Sequence, residues 1–175
     1  TALAAAFDSS CRRFETDAED DAAVRLELAV REAVDAGCDL VLAVGGDGTL
    51  SLSHRFYQMG MAEQLLFGAA SGLAAEGFTP FATTYAVFAS RRAYDFIHQT
   101  IAEEDRNVKI VCALPGLTSG YGPSHQATED LALFRAMPNM TVIDPCDALE
   151  TEQATHAIAA HKGPTYMRLL RGNVP

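Results

Sequence analysis

The segment DLVLAVGG at residues 39–46 decides the fold of this chain. Its run of β-branched and aliphatic residues, ended by two glycines, is typical of a strand buried in a parallel sheet. Upstream, a TDAE capping box at 16–19 precedes apolar residues at near-helical spacing over 18–36, and Gly37 ends that predicted helix. A helix followed by a buried strand is the unit of an α/β fold.

The same alternation of helices and strands continues to the end of the chain. The predicted elements are helices at 62–76, 91–103, 129–136 and 148–160, and strands at 80–85, 108–113, 140–143 and 165–169. This order indicates a mainly parallel sheet covered on both faces, a three-layer α/β/α sandwich. Because no linker, repeat or low-complexity tract divides the chain, residues 1–175 are predicted to form a single domain.

The charge balance is acidic, with 13 Lys and Arg against 23 Asp and Glu, a formal net charge of −10. Nucleic-acid binding draws its affinity from clustered basic residues, and the basic clusters here are pairs such as 12–13 and 91–92. The most apolar stretch, 61–75, is interrupted by Glu63 and is too short to span a bilayer. We therefore expect neither a nucleic-acid nor a membrane partner.

The cysteines contain no C-x-x-C pair and have no histidine cluster near them, so neither a metal site nor a redox dithiol is expected. Free thiols, mostly buried, indicate a reducing compartment, and we predict a cytoplasmic location. The chain begins at Thr1 without a signal peptide, which favours a piece of a longer protein. The four cysteines are Cys11, Cys38, Cys112 and Cys146.

A glycine-rich segment, VGGDGTL at 44–50, follows the first predicted strand. Glycines let backbone N–H groups approach phosphate, and a carboxylate can hold a cation or take a proton. With residues 1–50, this segment resembles the diacylglycerol kinase and NAD kinase superfamily, although the chain departs from that family after Leu50. A glycine-rich turn after a buried strand is the favoured alternative. The kinase-like loop would consist of Gly45, Gly46, Asp47, Gly48 and Thr49.

The GDG at 46–48 does not complete a thiamin diphosphate and magnesium motif. That motif requires an Asn roughly 25–30 residues later, and residues 73–78 contain none. We therefore expect no metal ligands in this chain.

A second set of motifs stands in a fixed order over residues 55–175. The motifs are FYQMGMAEQ at 56–64, TYAVF at 84–88, GPSHQ at 122–126, PNM at 138–140 and RGN at 171–173. This part of the chain resembles the pyrimidine-binding domain of transketolase, and especially the C-terminal subunit of split bacterial transketolases. The resemblance covers about two-thirds of the chain.

The resemblance implies roles for three residues at the cofactor, thiamin diphosphate. Glu63 would hydrogen-bond the far pyrimidine nitrogen and favour the imino tautomer that acts as internal base. Tyr85 and Phe88 would flank the pyrimidine ring. The alternatives are a Glu63 that stabilises the helix dipole and rings that only pack in the core.

The resemblance also implies substrate contacts. His125 would bind and protonate sugar oxygens, and Arg171 would grip a phosphate. A helix-capping His125 and a solvated Arg171 are the alternatives. Two departures from the family pattern stand nearby: Tyr121 stands where many transketolases carry an Asp that reads a substrate hydroxyl, and Arg91 stands where some transketolases place a third aromatic residue.

The implied function is the pyrimidine-binding module of a transketolase that moves a two-carbon ketol unit between sugar phosphates. Because the magnesium and diphosphate motif is missing, magnesium would come through a diphosphate-binding partner subunit, with or without a homodimer. The isolated chain is expected to be inactive. The alternatives are a non-catalytic chimera of two families joined near 50–55, and a fragment of a GGDGT-type lipid or NAD kinase.

Overall fold

A parallel sheet forms the centre of the protein in a computed structural model that describes residues 40–43 and 56–170. Within those residues the sheet has six strands in the order β2-β1-β3-β4-β6-β5, and each neighbouring pair is parallel. The strands are β1 Leu40–Ala43, β2 Phe56–Gln58, β3 Pro80–Tyr85, β4 Lys109–Ala113, β5 Thr141–Ile143 and β6 Thr165–Leu169.

Helices connect these strands. They are α1 Glu63–Ala75, α2 Ala86–Arg92, α3 Tyr94–Phe96 with a π-helical continuation Ile97–Ala102, α4 Asp130–Arg135 and α5 Ala148–Ala160. A 3₁₀ turn, Pro123–His125, lies in the long connection between β4 and α4. No helix in the described part of the chain is both long and apolar enough to cross a membrane.

Alternate residues of the central strands point to opposite faces of the sheet. Ile110 and Cys112 of β4 pack in the larger core cluster, on the side of α1 and α2, whereas Val111 packs in a second cluster with Ile158 of α5. Apolar side chains on both faces explain the continuous hydrophobic runs of these strands. The predicted α/β/α sandwich is confirmed.

Most predicted elements lie where the sequence pattern puts them, including the strand at 39–44, which corresponds to β1. The helix predicted at 91–103 is wrong at its start, because α2 already begins at Ala86, directly after β3. Tyr85 keeps an extended backbone (φ −73°, ψ 143°), and Ala86 and Val87 are buried against the core. Strand β2 was not predicted, and the helix predicted at 18–36 lies outside the described residues.

The loop after β4 folds back across the carboxyl ends of the strands. Leu114 has a left-handed backbone (φ 57°), and its N–H donates to the carbonyl of Leu169 at 3.1 Å. The Gly116 N–H donates to the Ala127 carbonyl at 2.7 Å, which closes the loop at its base. Ligands of open α/β sheets bind at this edge, so the loop and the start of α2 border the candidate site.

Candidate functional site

Glu63 stands in the first turn of α1, and its side chain is only 3% exposed. Both of its carboxylate oxygens lie 3.4 Å from Nη1 of Arg92. These contacts are long, since N–H···O bonds are usually about 2.7–3.2 Å. A carboxylate can accept about four hydrogen bonds. Glu63 is therefore buried, yet its described neighbours offer it only these long contacts with Arg92.

Arg92 was not singled out from the sequence, yet it joins two of the predicted site residues. Besides its contact with Glu63, its guanidinium carbon lies 4.0 Å from the centroid of the Phe88 ring, a cation–π contact. The spacing from Phe88 to Arg92, four residues along a helical segment, was a signal for this second contact. The contact with Glu63 depends on how α1 packs against α2.

Tyr85, Phe88 and His125 form a half-exposed aromatic group. The Tyr85 and Phe88 rings are stacked, with centroids 5.8 Å apart and planes at 16°. The His125 ring meets them edge-on, with its centroid 5.2 Å from Phe88 and 6.4 Å from Tyr85. Tyr85 and Phe88 also pack against the main core, so each ring contributes to the core while leaving part of its surface accessible.

His125 ends the 3₁₀ turn, and its Nδ1 lies 2.9 Å from the Ser124 hydroxyl. The exposed ring of Tyr121 lies 5.3 Å from the imidazole, centroid to centroid. The alternative that His125 caps the next helix is wrong, because α4 starts at Asp130 with Glu129 in the capping position. The structure thus brings the predicted residues Glu63, Tyr85, Phe88 and His125 into one region, linked by Arg92.

The Arg91 side chain bonds Glu129, just before α4. Its Nε donates to one carboxylate oxygen of Glu129, and its Nη2 donates to the other at 3.1 Å. The hydrogen bond from Arg91 is the main cause that lowers the pKa of Glu129 from 4.5 to about 2; burial partly opposes it, and the Thr128 hydroxyl adds to it. Arg91 therefore ties α2 to the loop that carries His125.

Acidification is expected to weaken this tie. Because the pKa of Glu129 is lower in the folded chain than its ordinary 4.5, its contribution to stability is complete above that pH and is lost as the pH falls towards about 2. Urea unfolding midpoints measured across this range should fall less steeply in Glu129→Gln than in the unaltered chain. Equal slopes in the two proteins would contradict the assignment.

A buried polar cluster lies beneath the same loop. Asp130 is 1% exposed; its Oδ2 accepts a hydrogen bond from the Tyr166 hydroxyl at 2.6 Å and lies 3.0 Å from Nε of Arg168. Nη1 of Arg168 donates to Asp144 at 2.7 Å. Burial raises the pKa of Tyr166, which keeps its hydroxyl protonated as a donor. Sequence reasoning missed this cluster, which joins the segments after β4 and β5 to strand β6.

Several predicted site residues lie outside the described residues, so their roles stay predictions. They are Arg171 and the kinase-like loop residues Gly45, Gly46, Asp47, Gly48 and Thr49. Of the described cysteines, Cys112 is buried as expected, whereas Cys146 is exposed. No group of three or more His, Cys, Asp or Glu residues that could hold a metal ion occurs within 40–43 and 56–170.

Comparisons with known proteins point to one family. A profile of the family "Transketolase, pyrimidine binding domain" matches residues 12–175. A protein of Sinorhizobium fredii, described as an uncharacterized transketolase family member, is 76% identical over 121 residues, which cover 69% of this chain and 35% of the relative. A protein of Methanocaldococcus jannaschii, described as a transketolase C-terminal section, is 46% identical over 119 residues, covering 67% of this chain and 38% of the relative.

A solved structure leads to the same family. A split-gene transketolase, described as an inactive β4 tetramer, is 39% identical with a TM-score of 0.76, and the match covers 88% of this chain and 52% of that chain. The chain spans between a third and two-fifths of the length of the curated relatives reported above. With the family profile matching most of its residues, this chain belongs to the transketolase pyrimidine-binding domain family.

Proposed function

We propose that this chain is the pyrimidine-binding module of a thiamin-diphosphate-dependent transketolase that transfers a two-carbon ketol unit between sugar phosphates. The observation that carries the proposal is the Glu63 carboxylate, buried at the start of α1 and linked through Arg92 to the Phe88 ring. An aminopyrimidine is a flat ring with polar nitrogens at its edge. A buried acceptor near a half-exposed aromatic pair fits such a ring.

Three residues of this chain would bind the pyrimidine ring of the cofactor. Glu63 would hold the far pyrimidine nitrogen, while Tyr85 and Phe88 would contact the ring faces. When bound, thiamin diphosphate supplies the carbon nucleophile that this transfer requires. Glu63 contributes by sharing a proton with the ring nitrogen from a position that water reaches poorly, where hydrogen bonds are stronger than in bulk water.

His125 is assigned to the sugar. Its Nδ1 faces the Ser124 hydroxyl at 2.9 Å, so we assign Nε2 to the substrate oxygens. An imidazole can donate or accept a proton near neutral pH, which suits the proton exchange that accompanies making and breaking a carbon–carbon bond at a carbonyl. Arg171 would hold the phosphate through its planar guanidinium.

The rest of the site is assigned to a partner subunit that binds the diphosphate and its magnesium ion. The match to a C-terminal section and to a split-gene transketolase supports a division of the enzyme between two chains. A homodimer of this chain within that assembly and a cytoplasmic location are part of the proposal.

The proposal is tested by titrating thiamin diphosphate and magnesium into this chain, with and without a diphosphate-binding transketolase subunit. Circular dichroism of the pyrimidine should change only when both chains are present.

Phe88→Ala should weaken binding of thiamin diphosphate about 2- to 10-fold, since a stacked ring adds about 0.5–1.5 kcal/mol beyond its burial. Leu149→Ala, at an exposed residue of α5, serves as the control. No change in the assembled wild type would contradict the proposal, and ATP turnover abolished by Asp47→Ala would support the kinase-like alternative.

A further inference from the structure

The turn that carries His125 is held on both sides by one side chain of α2. Besides its two bonds to Glu129, Arg91 donates from Nη2 to the Gln126 carbonyl at 3.2 Å, and its Nη1 makes a longer contact of 3.4 Å with the Pro123 carbonyl. These acceptors flank His125 in sequence. We call Arg91 and Glu129, together with these two carbonyls, the Arg91 clasp.

The clasp depends on the geometry of its hydrogen bonds more than on the attraction between its two charges. The side chains of Arg91 and Glu129 are 42% and 39% exposed, and an exposed ion pair by itself contributes only about 0–1 kcal/mol. However, the guanidinium is a rigid fork, and here it meets both carboxylate oxygens and two backbone carbonyls at once. Glu129 is oriented in turn by the Thr128 N–H and hydroxyl, which donate to it at 3.1 and 3.0 Å.

The turn also makes hydrogen bonds within its own loop. It enters through Gly122 (φ 81°), a backbone conformation that favours glycine. The Gln126 amide donates to the Ser119 carbonyl at 3.2 Å, but that bond lies within the same loop. The clasp, by contrast, joins the turn to the helix that carries Phe88, and the His125 ring lies 5.2 Å from the Phe88 ring.

We propose that Arg91 is a positioning residue: through the clasp it sets the place of the His125 imidazole relative to Phe88, and so relative to a substrate beside the cofactor. This rests on the proposed function. Arg91 touches neither cofactor nor substrate in this assignment.

The first test needs no catalysis. Because the Phe88 ring lies 5.2 Å from the imidazole, it should shift the proton resonances of His125 in the nuclear magnetic resonance spectrum of the full chain, and His125→Gln would identify these resonances. Arg91→Gln and Glu129→Gln should move them towards the values of an unstructured histidine. Arg135→Gln, at an exposed arginine in the last turn of α4, is the matched control and should leave them in place. Unmoved resonances in both clasp variants would overturn the proposal.

The second test uses the chain assembled with a diphosphate-binding subunit. Arg91→Gln should raise the KM for a ketose phosphate by about 10- to 100-fold and leave thiamin diphosphate affinity unchanged, because a displacement of about 1 Å can cost about 100-fold. Arg91→Lys keeps the positive charge but not the planar guanidinium, so its KM should lie between that of the unaltered chain and that of Arg91→Gln. The double variant of Arg91→Gln and Glu129→Gln should have a KM no higher than that of either single variant.

The outcomes separate the two proposals. Loss of cofactor affinity with an unchanged KM, or additive effects of the two substitutions, would overturn the positioning role. If the assembled wild type neither binds cofactor nor turns over, the proposed function fails. In that case the His125 resonances still decide whether the clasp places the imidazole.

Discussion

Glu63→Gln is expected to lower kcat/KM of the assembled enzyme by about 10²–10⁴-fold, the range that a positioned acid or base contributes. Glutamine has nearly the shape of glutamate, so the contact with Arg92 and the packing at the start of α1 should persist. What glutamine cannot do is exchange a proton with the pyrimidine nitrogen. The rates are to be measured at saturating thiamin diphosphate, so that weaker binding and slower chemistry are separated.

Gln64→Ala is the matched control for this prediction. Gln64 occupies the same first turn of α1 but is exposed, so its substitution should leave both kcat/KM and cofactor binding unchanged. Glu63→Ala should in addition lose the circular dichroism change on cofactor binding. Full activity in Glu63→Gln would contradict the assignment of the cofactor site.

Asp130→Ala is expected to destabilise the folded chain by about 3–5 kcal/mol, the cost of removing one partner from a buried ion pair. Asp130 is almost completely buried and accepts the Tyr166 hydroxyl at 2.6 Å, with Arg168 3.0 Å away. Its removal leaves a largely buried guanidinium and a buried hydroxyl without this acceptor. Urea unfolding followed by far-ultraviolet circular dichroism measures the loss.

Two further variants distinguish the buried pair of Asp130 and Arg168 from the weaker contacts around it. Tyr166→Phe removes one hydrogen bond but keeps the stack on Phe134, whose centroid lies 3.8 Å away, so it should cost only about 1–2 kcal/mol. Asp144→Ala, at the half-exposed end of the cluster, should cost about 1 kcal/mol or less. An Asp130→Ala protein as stable as Asp144→Ala would show that the buried pair contributes little.

Four residues of the candidate site were singled out because they stand in short motifs that resemble those of the transketolase family. Glu63 begins a helix after an Ala, Tyr85 and Phe88 are three residues apart after a strand, and His125 lies in a Gly-Pro-Ser-His turn. Each pattern is local, and the parallel topology brings the carboxyl ends of the strands to one edge. These four residues accordingly lie in one region of the structure.

Arg92, Glu129 and Asp130 were missed for a common reason. Each acts through a residue far away in sequence: Arg92 through Glu63, Glu129 through Arg91, and Asp130 through Arg168. In the sequence they read as ordinary charged residues of helix ends, and nothing within a few residues marks their partners.

By itself the sequence determined most of the succession of helices and strands and the parallel α/β class, because hydrophobic period and turn chemistry act over a few neighbouring residues. The motif residues followed from the family resemblance. Only the tertiary structure decided that α2 begins directly at the end of β3, that Arg91 binds the His125 turn and that Arg92 faces Glu63. These contacts depend on how α1, α2 and the loop after β4 pack over the sheet. Burial adds weight to the contact of Glu63, since a charged group removed from water requires a partner that only the fold can supply.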